Sequence, residues 1–233
     1  MKENIFKNIN KGFGKHKQTA INLLKKTIDI LNEFQINYFL ISGTLLGYVR
    51  HNDFIPWDDD IDLIVDKTII DKLPIIYAKY NKELTFINKQ NFLMKTCFKK
   101  DDNLEIQNIN IKDFNKYILG DKETDTYTFP FIDLFIYNDN QHQNENIYKN
   151  NNQNQNKLEF FNKLWEINEF FPPKKVLFNE ILVCIPNNPD YFLKINYGLN
   201  YMTTFISSSY NHQDEKYIPL IITKNTNNLN NYK

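Results

Sequence analysis

Residues 38–66, YFLISGTLLGYVRHNDFIPWDDDIDLIVD, decide how the rest of the chain is read. An apolar run, Tyr38 to Ile41, breaks at Ser42-Gly43-Thr44 and gives way to a helix-like piece, Leu45 to Arg50. A polar turn, His51-Asn52-Asp53, leads to Pro56-Trp57-Asp58-Asp59-Asp60-Ile61-Asp62, which runs into the apolar Leu63-Ile64-Val65. A strand–Gly-Thr–helix junction aims backbone N–H groups and a helix N-terminus at one spot. Gly43 and Thr44, with the Thr44 hydroxyl, are therefore expected to cradle a phosphate. Asp60 and Asp62 open a β-type segment with one residue between them, which places both carboxylates on one face. Paired hard oxygens on a rigid strand suit Mg²⁺ or Mn²⁺ held against phosphate groups. An acidic run can equally be a solvated turn. Here it abuts a segment destined for burial, where Asp58, Asp59, Asp60 and Asp62 would repel one another without a compensating cation.

A further acid points to the same place. Phe129 to Tyr137, FPFIDLFIY, reads as a strand with one charge embedded in it. On an edge strand Asp133 would face water. Among Phe131, Ile132, Leu134 and Phe135 it is costly to bury ionised and alone. A cation shared with Asp60 and Asp62 is the natural partner.

Composition narrows the class. The chain carries 28 Lys and Arg against 28 Asp and Glu, so no global field attracts a polyanion, and nucleic acid is not expected as a partner. Cys97 and Cys184 are far apart with no CxxC partner, which supports neither a disulfide framework nor a zinc site. His16, His51, His142 and His212 are scattered without metal-ligand spacing and are read as ordinary hydrogen-bonding residues. The N-terminus has no apolar core of signal-peptide length, and no run approaches the roughly 18 apolar residues of a membrane helix. A soluble, cytoplasmic protein without a membrane span is expected.

Taken in order, the chain predicts an α+β domain, a mixed sheet flanked by helices with a small C-terminal lobe. Residues 1–16 form a loose lead-in, and 17–137 the catalytic core. Ile21, Leu24, Ile28 and Leu31 recur at helical spacing within Lys17 to Phe34. Strands follow at Tyr38 to Ile41 and Ile61 to Val65, and a helix begins near Thr68 and carries Pro74. Leu84 to Ile87, Phe92 to Phe98 and Phe129 to Tyr137 read as strands, with a further strand possible at Ile106 to Ile111. The Asn- and Gln-rich stretch 138–156 cannot build a core and is read as an exposed loop. The C-terminal lobe, 157–222, completes the same domain. It opens with a helix over Lys157 to Phe171, continues with a hairpin turning on Asn179-Glu180, and has a short helix closed by Gly198. Residues 223–233 form a frayed tail.

Gly43-Thr44-Leu45-Leu46-Gly47, Arg50 and Phe54-Ile55-Pro56-Trp57-Asp58-Asp59-Asp60-Ile61-Asp62 together resemble the signature of the LicD family. That family includes phosphocholine transferases and fukutin-type ribitol-phosphate transferases. Ile185 to Leu193 and Tyr197-Gly198 are similar to the family's tail, in the expected order. The resemblance implies a nucleotidyltransferase-like fold and metal-dependent transfer of a phosphorylated alcohol from a CDP-linked donor to a sugar hydroxyl of a glycan or glycoconjugate. It also implies a third acid on an IDLF-type strand, which Asp133 matches.

On this reading Asp60, Asp62 and Asp133 hold the metal. Asp133 or Asp58 serves as the base, with Asp133 slightly preferred, and Arg50 contacts a phosphate unless a nearby Asp pairs with it. Trp57 fixes the turn by packing in preference to stacking on a base. Tyr197-Gly198 either touches substrate or caps its helix. Two other readings remain open, a DxD-type glycosyltransferase using a nucleotide-sugar and a catalytically silent carbohydrate-binding scaffold.

Overall fold

The computed structural model describes residues 11–90, 92–99, 127–139, 156–218 and 222–223. At its centre β1 (Tyr38–Leu40) and β2 (Asp62–Asp66) pair antiparallel, Phe39 opposite Ile64. All residues of both strands are buried, as their near-continuous apolar sequences require. Next to β2 lies β5 (Phe131–Asp139), parallel to it, with Asp62 opposite Asp133. Antiparallel β4 (Leu93–Phe98) and β3 (Leu84–Gln90) complete the order β1-β2-β5-β4-β3. This is the mixed sheet of an α+β fold. A parallel pair needs a crossover connection. Here the chain between β2 and β5 includes a helix, α3 (Thr68–Tyr80), and the β3–β4 hairpin.

The helix α1 (Lys17–Glu33) buries Ala20, Leu23, Leu24, Thr27, Ile30 and Leu31 and packs across β4 and β5. The short α2 (Ser42–His51) lies against β2. The lead-in becomes part of the fold before residue 16. Phe13 is 3% exposed, with its ring 4.9 Å from that of Phe54.

One expected element is wrong. Residues 157–171 do not form a helix but a hairpin, β6 (Lys157–Phe160) and β7 (Lys163–Glu166), followed by a single turn, α4 (Ile167–Phe170). β6 extends the sheet by pairing with the end of β5. Phe161 and Asn162 turn the hairpin with φ of +53° and +54°, the left-handed pair of a type I′ turn. Leu158 and Phe160 alternate inward at the two-residue period of a strand and meet Trp165 from β7. The helical spacing of Leu158, Phe161 and Trp165 was therefore a coincidence of a short window.

The second hairpin holds as expected, with β8 (Lys174–Phe178) and β9 (Ile181–Ile185) turning on Asn179 and Glu180. It is followed by α5 (Pro189–Tyr197), capped at its start by the Asn188 side chain. At its end Gly198 takes φ +83°, which favours glycine although a Cβ there would meet nothing. The possible strand at 106–111, most of the 138–156 stretch and most of the tail lie outside the described residues. Among the described residues, no helix is long and apolar enough to cross a membrane.

The C-terminal elements are fastened to the sheet by aromatic packing. The ring of Phe39, fully buried on β1, lies 5.6 Å from Phe170 and 5.1 Å from Phe171, edge-on to both. Phe39→Ala removes that joint and is expected to lower the unfolding free energy by about 3–5 kcal/mol in a urea melt. A loss well below this range would mean that the lobe is held elsewhere.

Candidate active site

The chain leaves β1 through Ser42, whose φ of +48° is a left-handed conformation disfavoured for residues with a side chain. The adjacent glycine is needed for space. A Cβ on Gly43 would collide with Oδ2 of Asp58. The start of α2 is then locked onto the acidic strand. Thr44 Oγ1 accepts the Asp62 amide at 2.9 Å, and the Gly43 amide donates to the Asp62 carboxylate. Thr44 is 2% exposed and its hydroxyl oxygen is spent inside the fold. The donors expected to cradle a phosphate are thus directed in part at the protein's own carboxylate.

Asp58, Asp60 and Asp62 share one wall of a cavity of about 330 Å³ with Gly43 and Arg50. Residues 206–209 of the C-terminal segment also line it. Asp133 stands beside Asp62 across the parallel pair. Paired in register, the two share one face of the sheet, although Asp133 is not among the residues lining the cavity. The structure therefore brings the expected acids together.

Electrostatics divide these acids. Burial, then the charges of Asp60 and Asp62, push the Asp58 pKa well above the ordinary carboxylate range. Burial, then Asp60 and Asp133, do the same to Asp62. Asp133 is raised by burial, against the pull of Lys95, whose Nζ lies 2.6 Å from its Oδ1. Burial also works against Asp60, but the hydrogen bond and charge of His212, together with the hydrogen bond from Asp58 and the charge of Lys95, hold Asp60 low. In return His212 is raised, because its bond to Asp60 and the charges of Asp60 and Asp59 overcome the effect of burial.

The donor set fits a hard divalent cation. Asp58 and Asp62 are carboxylates destabilised by burial and mutual repulsion, and a cation between them would relieve both. Among the described residues, no cluster of three acidic, imidazole or thiol groups is already drawn together in a form that could hold a metal.

The other expected site residues take distinct places. Among the described residues Arg50 pairs with no acid. Its Nη1 donates to the carbonyls of Tyr201 and Thr204 at 3.1 and 3.0 Å, and its Nε to Nε2 of His51. Burial and the Arg50 charge lower the His51 pKa to about 4, so that ring is neutral. Trp57 is a packing residue, with Nε1 donating to Ile206 O at 3.0 Å and its ring 4.4 Å from Phe205. Tyr197 lines the cavity, whereas Gly198 caps α5.

Against this geometry the comparisons with known proteins can be set. The family description LicD/FKTN/FKRP, nucleotidyltransferase domain, matches residues 35–188, which carry all the acids named above. The chain belongs to this family. An uncharacterized protein of Rickettsia prowazekii is 32% identical over 87 residues, covering 36% of this chain and 33% of that protein. The lipopolysaccharide cholinephosphotransferase LicD of Haemophilus influenzae is 43% identical over 48 residues, 21% of this chain and 18% of that one. The human ribitol 5-phosphate transferase FKRP is 47% identical over 36 residues, 16% of this chain and 7% of its own. The chain thus spans at most about a third of the length of these relatives.

Three features of this LicD-family site escaped the sequence. His212, read as an ordinary residue, brings Nε2 to 3.4 Å from Asp60 Oδ2. Its backbone amide and that of Gln213 donate to Asp59 Oδ2 at 3.0 and 3.3 Å. Lys95 pairs with Asp133, and Ser207 to Ser209 wall the cavity. For Lys95 a signal existed, a lone charge in the apolar strand Leu93–Phe98, of the same kind that singled out Asp133. For His212 none did, because its partners come from far along the chain.

Thr44→Val keeps the shape of the α2 start but leaves the buried Asp62 amide without its acceptor. It is expected to cost about 1–3 kcal/mol in a urea melt, with Thr44→Ser close to the parent. A loss in Thr44→Ser with Thr44→Val close to the parent would show that the methyl group, not the hydroxyl, matters.

Proposed function

We propose that this protein transfers a phosphorylated alcohol from a CDP-linked donor to a sugar hydroxyl of a glycan or glycoconjugate, with Mg²⁺ or Mn²⁺ as cofactor. One observation carries the reading. Asp58, Asp60 and Asp62 line a single cavity, and they belong to the stretch that identifies the family. The named relatives support the class of group moved, since one is a cholinephosphotransferase and the other a ribitol 5-phosphate transferase.

Transfers of this kind ask the protein mainly for positioning and charge neutralisation. Asp60 and Asp62, with Asp133, would hold the divalent cation, which when bound offsets charge on the donor phosphates and the leaving nucleotide. Arg50 has neutral hydrogen-bond partners, so its charge is available to an anion in the cavity it lines. Asp58 is the better placed proton acceptor for the attacking hydroxyl. It lines the cavity, which Asp133 does not. Asp133, slightly preferred from sequence, already has Oδ1 engaged by Lys95. Tyr197 has its pKa pushed up by burial and by the charges of Asp62, Asp58 and Asp60, so it stays a neutral phenol able to donate a hydrogen bond.

The test is mass spectrometry of reactions containing a panel of CDP-alcohols, simple sugars and Mn²⁺. A product carrying both the alcohol and its phosphorus is expected, and chelation should abolish it. Asp60→Asn and Asp62→Asn should each lower the rate by at least about 100-fold, as loss of several kcal/mol of charge stabilisation requires. Transfer of a sugar without phosphorus from a nucleotide-sugar would overturn the proposal in favour of a glycosyltransferase.

A further inference from the structure

Lys95 is a buried cation that the mechanism above does not use. It sits on β4 opposite Asp133, 9% exposed, with Nζ 2.6 Å from Asp133 Oδ1. The same ammonium lies 3.7 Å from the ring centre of Phe131 and 5.2 Å from that of Tyr127. Its charge reaches Asp60, Asp62 and His212 as well. A buried ion pair is a weak route to stability, because well-packed apolar residues of similar volume generally serve as well or better. A lysine enclosed by two aromatic rings and a carboxylate therefore calls for a reason beyond packing.

We infer that Lys95 is a positioning residue that tunes metal uptake. By holding Asp133 Oδ1 and placing a fixed positive charge beside the acids, it weakens binding of a divalent cation to the free protein. The remaining affinity then comes from the phosphates of the donor. The inference rests on the metal-dependent reading above and assigns this chain's own residue a part in it. It accords with Asp60 and Asp62 lining the cavity while Oδ1 of Asp133 is held by Lys95. Divalent ions held jointly by a few carboxylates and substrate phosphates have this character.

The experiment is a Mn²⁺ titration of the full chain followed by electron paramagnetic resonance, with and without CDP, alongside thermal melts. Without CDP, Lys95→Met should bind Mn²⁺ about tenfold more tightly than the parent, and Mn²⁺ should raise its Tm further. CDP should then improve Mn²⁺ binding less in Lys95→Met than in the parent. Lys95→Arg keeps the charge and should stay within about threefold of the parent. A folded Lys95→Met with unchanged or weaker Mn²⁺ binding would sink the inference, as would a larger change in Lys95→Arg. If Lys95→Met folds only when Mn²⁺ is added, the inference stands. If it fails to fold even then, Lys95 is structural. A parent chain that binds no Mn²⁺ with or without CDP defeats the metal-dependent reading itself, which separates the two failures.

Discussion

The structure is organised around like charges held close together at the start of a parallel strand pair. β2 and β5 run side by side in the register that sets Asp62 opposite Asp133, so two carboxylates are fixed on neighbouring strands. Neither strand can slip by one residue without turning its apolar set away from the core. Leu63, Ile64 and Val65 on one side and Ile132 and Leu134 on the other are all fully buried. The hydrophobic requirement of the sheet thus enforces an electrostatic arrangement that the carboxylates alone would oppose. Carboxylates forced together this way repel one another, and on the proposed reading a divalent cation would relieve that repulsion.

The polar C-terminal segment has little core of its own and is held by the acidic turn and its neighbours. Arg50 takes the carbonyls of Tyr201 and Thr204, Trp57 that of Ile206, and Asp59 the amides of His212 and Gln213. Residues 206–209 are thereby fixed as part of the cavity wall. One stretch of sequence therefore supplies the acids and also anchors this C-terminal wall. Substitutions at Trp57 or Asp59 would act on the site through this wall.

Much of this was legible in the sequence wherever local pattern and burial agreed. The acids at 60 and 62, the embedded Asp133 and the β8–β9 turn each follow from a short-range rule that the tertiary structure did not override. The hairpin at 157–166 was missed because its turn places Phe161, an unusual residue for a positive φ, where Asn or Gly would have announced it. The α2 start was read as a break between strand and helix, without the division of labour the structure shows there. Ser42 carries the left-handed backbone, and Gly43 is there to admit Asp58. His212 could not be found at all, since its meeting with Asp60 depends on the path of the whole C-terminal segment.

The distribution of compensating groups gives the cluster its direction. Asp59 receives two backbone amides, Asp60 receives His212, and Asp133 receives Lys95. Asp58 and Asp62, which line the cavity, carry pKa values raised by burial and by their neighbours' charges. The charge of Lys95 and the dipole of the Gly43 amide oppose that rise at Asp62 without cancelling it. Within the cavity lining Asp60 is compensated by His212, and Asp58 and Asp62 are the less compensated carboxylates. On the proposed reading an incoming cation would be drawn to these two. Were His212 and Lys95 set against Asp58 and Asp62 instead, those acids would already be satisfied by the protein and would have less tendency to bind a cation.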